Sequence, residues 1–392
     1  MRRARRWRYL IVLALALLAG LGLWERHEDN VEAAARNVQP TPVRVPAAAP
    51  RPRRHLQVSR RIDVYADIRP GMMQPAAKRA RPLVYVPNSE ANSVDVIDPR
   101  TYHVISSFPV GTLPQHVTPS YDLRTLYVDN DVGNSLTPID PRTGRPGPSI
   151  PVDDPYNLYF TPNGRYAIVV AERLHRVDFR NPHTFRLVKH LPVPCAGVNH
   201  MDFSPSGSYA VVSCEFSGQL LKLDLRRLRV SAVRHLPQRY SVPQDVRSAP
   251  DGKVFYVADL AAGGIWEISP RTLKVIRLIH TGAGAHGLVV SRNGRLLYVA
   301  NRNAGTVSLL SFRTRRIVRT WRIPGGGSPD MGDVSPNGRV LWLSGRYNAQ
   351  VYAIDTRSGR LIARIPVGAS PHGVAVWPQP GRYSLGHTGN MR

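Results

Sequence analysis

The chain has 392 residues, with 53 lysines and arginines against 27 aspartates and glutamates, and its formal net charge is +26. The composition, 42% hydrophobic and 20% charged, is that of a globular protein and excludes wholesale disorder. The 35 prolines and 31 glycines indicate many turns between short strands, whereas two cysteines exclude a disulfide scaffold.

An apolar segment stands near the N-terminus. Five arginines fall within the first eight residues, and an uncharged apolar run follows at residues 9–24. This order is typical of a secretory signal, and arginines kept on the inner side of a membrane fit an uncleaved anchor equally. Residues 1–24 are therefore predicted to be a signal peptide or a signal anchor. Both alternatives make the rest of the protein extracytoplasmic, either membrane-anchored or secreted.

The next segment, residues 25–82, is rich in proline and arginine and shows no apolar periodicity. Such a composition predicts a semi-rigid, extended linker. The linker would hold a folded domain away from the membrane.

From residue 83 onward the sequence repeats itself. The repeat is marked by glycines that follow asparagine, aspartate or serine in predicted turns: Gly164, Gly207, Gly252, Gly294 and Gly338. An alternating apolar strand precedes each turn, an aromatic or β-branched strand follows it, and two further short strands complete the repeat. Four short strands in a repeat of this length are typical of a propeller blade.

Counting the repeats gives seven blades over residues 83–382, followed by a C-terminal tail, residues 383–392. The first repeat lacks its innermost strand, and a spare strand remains at residues 372–377. Pairing the spare strand with the first repeat would leave no open sheet edge. The sequence therefore predicts an all-β, seven-bladed β-propeller that its C-terminal strand closes.

Short strings within the repeats resemble a known family. LVYVPN at 83–88, LYVDN at 126–130 and LYVAN at 297–301 are similar to YVTN-type repeats, and SPHGVAV at 370–376 resembles the strand that opens such a repeat. The third and fourth blades lack the tyrosine. The resemblance to the YVTN-repeat, YncE-like β-propeller family implies an extracytoplasmic propeller. Related propellers include lactonases, streptogramin lyases and the haem-bearing propeller of nitrite reductases, so fold analogy selects no activity.

A candidate site follows from superposing the repeats at the start of the innermost strands, the end of the central channel that we call the mouth. One position of the repeat is occupied by Gln115, Tyr156, Asn199, Gln244, His286, Asp330 and His372. The next position is occupied by His116, Asn157, His200, Asp245, Gly287, Met331 and Gly373. The predicted ligand-binding residues among them are His116, His200, His286, His372, Asn199, Asp245 and Asp330.

Imidazole and carboxylate groups that converge on one axis bind a divalent metal or polarise a substrate carbonyl. His200, His286 and His372 are the candidate metal ligands, although no local spacing of these residues is that of a known metal motif. The alternative interpretation is structural, with the histidines hydrogen-bonded from blade to blade as part of the repeat.

A second set of polar residues lies at the predicted ends of the second strands: Asn88, Asn130, Glu172, Asp259 and Asn301. These residue types form turns first. Cys214 belongs to the same set and Cys195 lies in the loop that enters the same blade, so both are on the mouth side. In an exported protein this placement favours a Cys195–Cys214 disulfide.

Three functions are left open. The leading hypothesis is a binding or scaffold module that recognises a small molecule, protein or envelope polymer at the mouth, with no catalysis and no required cofactor. The second is a metal-assisted lyase or lactonase that uses the same residues with a divalent metal. The third is electrostatic docking to anionic envelope polymers through basic turns on the opposite rim. Export disfavours nucleic acid as a partner, and a monomer is expected.

Overall fold

Seven antiparallel sheets follow one another along the chain in the computed structural model, which describes residues 62–392. The sheets form the blades of a seven-bladed β-propeller, as the repeat count predicted. The predicted signal or anchor segment at 1–24 and most of the predicted linker lie outside the described residues. Within the described part of the chain, no helix combines the length and apolarity needed to cross a membrane.

The strands are numbered in chain order, and each blade begins with its innermost strand except the first. Blade 1 contains β1 (Leu83–Asn88), β2 (Ser93–Asp98) and β3 (His103–Pro109). Blade 2 contains β4 (Pro114–Pro119), β5 (Leu126–Asn130), β6 (Ser135–Asp140), β7 (Arg145–Pro146) and β8 (Ile150–Pro151). Blade 3 contains β9 (Asn157–Phe160), β10 (Ala167–Ala171), β11 (Arg176–Arg180) and β12 (Leu187–Pro192). Blade 4 contains β13 (Val198–Phe203), β14 (Tyr209–Cys214), β15 (Gln219–Asp224) and β16 (Arg229–His235).

The remaining blades have the same order. Blade 5 contains β17 (Pro243–Ser248), β18 (Phe255–Asp259), β19 (Gly264–Ile268) and β20 (Val275–His280). Blade 6 contains β21 (Ala285–Val290), β22 (Leu296–Asn301), β23 (Thr306–Ser311) and β24 (Arg316–Arg322). Blade 7 contains β25 (Pro329–Val334), β26 (Val340–Gly345), β27 (Gln350–Asp355) and β28 (Leu361–Pro366), and β29 (Ala375–Trp377) follows it.

The burial of the strands explains their sequences. Every residue of the innermost strands β4, β9, β13, β17, β21 and β25 is buried. The outermost strands, such as β3 and β16, are largely exposed. The second strands, such as β10 (AIVVA), are covered on both faces and read as apolar runs. The innermost strands are equally buried but contain polar residues, such as His116 in β4 and Asp245 in β17, around the channel. The core therefore lies between blades and around the axis.

The last strand closes the ring. β29 pairs antiparallel with β1, with Leu83 opposite Trp377 and Tyr85 opposite Ala375. β29 also lies against the innermost strands of the two neighbouring blades, β25 and β4. The first blade thus takes its innermost strand from the C-terminal end of the chain, and the predicted closure is confirmed.

The predicted linker boundary at residue 82 is wrong. Residues 62–82 form a 3-10 turn at Ala66–Ile68 and a one-turn helix at Pro75–Lys78. Tyr65 is buried and its hydroxyl donates to the carbonyl of Ser248 at 2.8 Å. This contact lies at the end of the ring opposite the mouth. A few apolar residues cover that end, and they are too few to give a periodic sequence signal.

The C-terminal tail, residues 383–392, enters the channel, which the sequence did not indicate. Its backbone bonds to β9: the amide of His387 donates to the carbonyl of Leu158 at 2.7 Å. Gly386, with φ of +94°, allows the close approach, because a Cβ there would lie 2.3 Å from the Leu158 oxygen. Arg392 donates to Oδ1 of Asp202 at 2.7 Å. The tail therefore fills the lower part of the channel.

Candidate functional site

Five buried histidines meet on the propeller axis below the mouth. We call His116, His200, His286, His372 and His387 the axial histidines. The ring centre of His116 lies 5.6 Å from that of His200, 4.9 Å from that of His372 and 4.8 Å from that of His387. The ring of His286 lies 6.2 Å from that of His200 and 5.7 Å from that of His372. Four of these histidines come from the superposed positions of the repeat, and the fifth, His387, comes from the tail.

The backbone explains why the rings approach so closely. His116 and Gly373 form a bridge between the innermost strands of blades 2 and 1. A Cβ on Gly373 would lie 2.3 Å from Cδ2 of His116. A glycine at this position of the repeat therefore leaves space for the imidazole of the neighbouring blade.

The axial histidines fall into two groups. In the first group, His116, His200 and His387 each place one ring nitrogen within 4.8 Å of the others. Nδ1 of His116 lies 3.0 Å from the carbonyl oxygen of Tyr156, and Nδ1 of His200 lies 3.0 Å from the side-chain amide of Asn157. The Nε2 atoms of His116 and His200 are buried and have no hydrogen-bond partner. The Nε2 lone pair or N–H group of each of these two rings therefore makes no hydrogen bond.

The second group contains His286, Asp330 and His372. Nδ1 of His286 lies 2.8 Å from Oδ1 of Asp330, and Nε2 of His372 lies 3.7 Å from Oδ2. Arg302 donates to the same Oδ1 from Nη2 at 2.7 Å. The three predicted metal candidates therefore do not form one site: His200 belongs to the first group, and His286 and His372 share a carboxylate that an arginine already neutralises.

Burial sets the charge of the axial histidines. Desolvation lowers the pKa of His116 to about 3 and that of His286 to about 4. It holds the pKa values of the other three, His200, His372 and His387, well below the usual range. All five imidazoles are consequently neutral near pH 7.

The carboxylate of Asp330 behaves differently from the histidines around it. Burial is the largest single influence and raises its pKa, but Arg302 together with His286 and His372 outweighs that effect and holds the pKa well below its usual range. The second group therefore contains a buried carboxylate that is ionised and paired.

Two predicted ligand residues point away from the axial histidines. Asn199 donates to Oε2 of Glu215 at 3.0 Å, and its oxygen accepts from the hydroxyl of Ser213 at 2.7 Å. Asp245 accepts from Arg247 at 2.7 Å and from the amide of Leu288 at 3.0 Å. Both residues hold neighbouring strands together, although Oδ2 of Asp245 also lies 3.8 Å from Nε2 of His387.

Most of the second predicted set stabilises turns. The amide of Asn88 donates to Asp95, that of Asn130 to Thr137 and that of Asn301 to Ser308, at 2.9 to 3.0 Å. Asp259 accepts from the indole of Trp266 at 2.8 Å. Glu172 is the exception: β10 ends one residue earlier than predicted, so Glu172 lies just beyond the strand.

The residues directly after the second strands surround the opening of the channel. This mouth ring consists of Ser89, Asp131, Glu172, Glu215, Leu260, Arg302 and Arg346. Three neighbouring blades contribute carboxylates, and two others contribute arginines. The sequence superposition took the last residue of most second strands, one position before the ring, and met the ring only at Glu172. A search of the position after each second strand would have found it.

Burial shifts the carboxylates of the mouth ring towards their protonated forms. Burial raises the pKa of Asp131 to about 7, with a further contribution from Asp154. Burial also raises the pKa of Glu172 well above its usual value, and neighbouring Glu215 adds to this shift. The pKa of Glu215 is likewise raised by burial, against the effect of Arg302 and Arg346. The sector of Glu172 and Glu215 thus gains from a positive group brought to it, and the opposite sector supplies Arg346, because Arg302 is paired with Asp330.

Aromatic side chains surround this ring on the outer surface, which we call the mouth face. Among the described residues, the large aromatic side chains that are strongly exposed are Phe216 (69%), Tyr240 (70%) and Tyr347 (67%). Phe216 and Tyr347 each follow a residue of the mouth ring, and Tyr240 lies in the loop that enters blade 5. All three therefore lie on one face of the propeller.

A disulfide links Cys195 to Cys214. Cys195 is in the loop that enters β13, and Cys214 is the last residue of β14. The bond therefore fixes the backbone immediately before Glu215 and Phe216.

The fold and the site together define a β-propeller with polar, partly charged residues at the mouth and a histidine cluster on the axis. Residues 71–381 match the YNCE-like beta-propeller family, and the chain belongs to that family. Among curated proteins, none matches the sequence.

Several solved structures have the same fold. Hydrazine synthase from Kuenenia stuttgartiensis is 18% identical with a TM-score of 0.60, over 78% of this chain and 99% of that one. A functionally unknown protein from Desulfotomaculum acetoxidans is 16% identical with a TM-score of 0.61, over 76% and 100%. Dihydro-heme d1 dehydrogenase NirN is 16% identical with a TM-score of 0.57, over 79% and 77%. At such identities the likeness concerns the fold alone.

Proposed function

We propose that this protein is an extracytoplasmic binding propeller that recognises a polypeptide partner at its mouth face. The observation that carries the proposal is the concentration of exposed aromatic side chains around a charged channel opening. Aromatic and arginine side chains supply most of the energy at protein interfaces, whereas scattered aliphatic residues on a surface need no explanation.

The placement of the exposed apolar residues supports the mouth face as the binding surface. Val104, Ile105, Val188, Ile276 and Val318 are also exposed, but they lie along the outermost strands of four different blades. The exposed Val233 lies on the outermost strand of a further blade, so these aliphatic residues are distributed along the outer wall and away from the mouth face. The three aromatic residues share the mouth face with the exposed Val132 and Leu174, so one partner can contact several of them.

The charges of the mouth ring suggest the chemistry of the partner. A lysine or arginine of a bound segment would be stabilised beside Glu172 and Glu215, two buried carboxylates with no ion-pair partner among the described residues, whereas Asp131 already lies 3.5 Å from Nε of Arg173. An acidic group would be stabilised beside Arg346, since Arg302 is already paired with Asp330. A segment with basic and acidic residues a few positions apart fits this arrangement. Binding of the segment in the reversed direction would bring like charges together and is disfavoured.

Co-purification from the cells that make the protein tests this proposal. The full chain is compared with a Phe216→Ser/Tyr347→Ser double variant and with a matched Ile276→Ser/Val318→Ser variant of the outer strands. We expect a discrete set of proteins to be retained by the full chain and the outer-strand variant, and to be depleted about 30-fold or more by the mouth variant. Equal depletion by both variants, or by neither, would contradict the proposal.

The extracytoplasmic location is supported by the disulfide, which persists in oxidising compartments, and by the arginine-led apolar run at residues 9–24. Fusion of residues 1–82 to a reporter that is active only after export tests it. Export activity is expected, and it should be lost when two leucines of the apolar run are replaced by arginine. An inactive reporter with an intact run would contradict the location.

The metal-assisted lyase or lactonase and the docking to anionic polymers stay predictions. Neither has an observation of its own that favours it over a binding surface at the mouth.

A further inference from the structure

We propose that His116, His200 and His387 bind a transition-metal ion of the zinc and copper class on the propeller axis. The site lies below the mouth face and includes a ligand from the C-terminal tail. The inference goes beyond the proposed function and does not depend on it, because none of the three histidines belongs to the mouth ring.

The geometry is close to that of a three-histidine site. One ring nitrogen of each residue lies within 4.8 Å of the other two. Three nitrogens bound tetrahedrally to one Zn²⁺ at about 2.0–2.1 Å would lie about 3.3 Å apart. Small rotations of the side chains close that difference, and three imidazoles leave a fourth coordination position open.

The unused ring nitrogens are the second observation. Nε2 of His116 and Nε2 of His200 are completely buried without a hydrogen-bond partner. A buried polar atom without a partner is costly, so native proteins almost always supply one. A metal ion between the rings would satisfy both atoms at once. Imidazole is a preferred ligand of Zn²⁺ and Cu²⁺, whereas Mg²⁺ and Ca²⁺ prefer oxygen.

The surrounding groups can hold the rings in the tautomer that a metal needs. His116 Nδ1 donates to the carbonyl of Tyr156, which leaves Nε2 as a lone pair. The side-chain amide of Asn157 lies 3.0 Å from Nδ1 of His200 and 3.3 Å from Nδ1 of His387. Exchanging the nitrogen and oxygen of this amide presents the oxygen to both Nδ1–H groups and to the Tyr159 hydroxyl, at the cost of the bond that the amide of Leu158 now donates to that oxygen. Such partners of metal-bound histidines fix the ring orientation.

The second histidine group is a poorer cation site. Its carboxylate, Asp330, is already paired with Arg302. A further positive ion next to that guanidinium would be repelled. The second group also has buried atoms without a hydrogen-bond partner, but its carboxylate is already neutralised by Arg302, so three neutral imidazoles offer the better site.

Metal binding at the first group would fasten the tail in the channel. His387 is the tail residue that reaches the ligands of blades 2 and 4, and its backbone is bonded to β9. Removing the ion should therefore increase exchange of the backbone amides in residues 383–392 and leave the blades unchanged.

The test uses the full chain purified without chelators. Metal content is measured by plasma mass spectrometry, and Co²⁺ and Cu²⁺ titrations are followed by visible absorption. We expect about one ion per chain, and a loss of affinity of more than about 100-fold in His116→Gln and in His387→Gln, since even partners of ligands are typically worth 10–100-fold. Hydrogen exchange of residues 383–392 should slow when Zn²⁺ is added to metal-free wild-type protein.

Controls separate this site from other sources of binding. His183→Ala removes an exposed histidine and should leave affinity unchanged. His286→Gln changes the second group, and its affinity should also stay within a few-fold of wild type. Circular dichroism and thermal unfolding establish that each variant is folded. The proposal is overturned if wild type binds no ion more tightly than the His116→Gln and His387→Gln variants, or if affinity falls only in His286→Gln.

Discussion

The guanidinium of Arg302 donates to Oδ1 of Asp330 through Nη2 at 2.7 Å and through Nε at 3.0 Å, and the carboxylate is completely buried. The pair joins the mouth ring to the axial histidines, because Asp330 also contacts His286. An ionised carboxylate in this position depends on its cation.

Replacing Arg302 by methionine should therefore destabilise the protein by about 3–5 kcal/mol, the usual cost of removing one partner of a buried pair. Urea unfolding of the variant and the wild type measures the difference. Arg100, whose side chain is exposed beside Asp98, supplies the control, and Arg100→Met should not change stability measurably. Equal effects of the two substitutions would show that the buried pair is not strongly coupled.

The disulfide should stabilise the mouth as well as the fold. Closing a loop of about 20 residues is worth about 3 kcal/mol in the chain-entropy account, and the loop between Cys195 and Cys214 has that length. Denaturant unfolding with and without reductant measures the effect, and a Cys195→Ser/Cys214→Ser variant repeats it without added reductant. A free energy of unfolding that is unchanged in both cases would be inconsistent with this role.

Stability should depend on pH through Asp131. Its pKa is raised to about 7 by burial and by Asp154, so the folded state holds a proton that the unfolded chain releases at lower pH. The contribution of this proton to the free energy of unfolding is complete below about pH 4 and is lost as the pH rises through about 7. The stability of wild type relative to Asp131→Asn should fall over this range. A difference that is constant, or that increases with pH, would contradict the assignment.

Docking of the tail should depend on Gly386. An alanine there would place its Cβ 2.3 Å from the Leu158 oxygen at a φ of +94°, so Gly386→Ala should displace the tail and speed hydrogen exchange in residues 383–392. Gly326→Ala is a matched control, because Gly326 also has a positive φ (+81°) but has nothing within 4 Å of a Cβ. Exchange in residues 383–392 that is as slow in Gly386→Ala as in Gly326→Ala would contradict the predicted clash.

The sequence predicted the parts of the fold that repeat. Turn glycines such as Gly207 and Gly294 recur once per blade, and their spacing is enough to count seven blades and to require a closing strand. Positions at the start of the innermost strands also recur, which is why His116 and His286 were expected at the mouth. Repetition makes these positions visible because each blade meets the same neighbours.

Features that occur once could not be predicted in this way. His387 lies in ten residues that match no repeat, and only the folded ring shows that the channel accepts them. Tyr65 covers the opposite end of the ring, with its hydroxyl on the Ser248 carbonyl and its ring against Phe312 and Arg392, without any periodic pattern in the sequence. The ion pair between Asp330 and Arg302 is also not part of the repeated pattern. The two residues come from different blades, so the sequence could not show that one neutralises the other.

Site-specific photo-crosslinking tests the central claim, that the mouth face binds a polypeptide partner. A photo-reactive phenylalanine analogue in place of Tyr347 is compared, in intact cells, with the same analogue in place of Ile276 on the outermost strand of blade 5. The account predicts a discrete crosslinked protein from position 347, absent from position 276 and competed by excess unlabelled wild-type protein. Crosslinks from position 276 alone, or the same products from both positions, would contradict it.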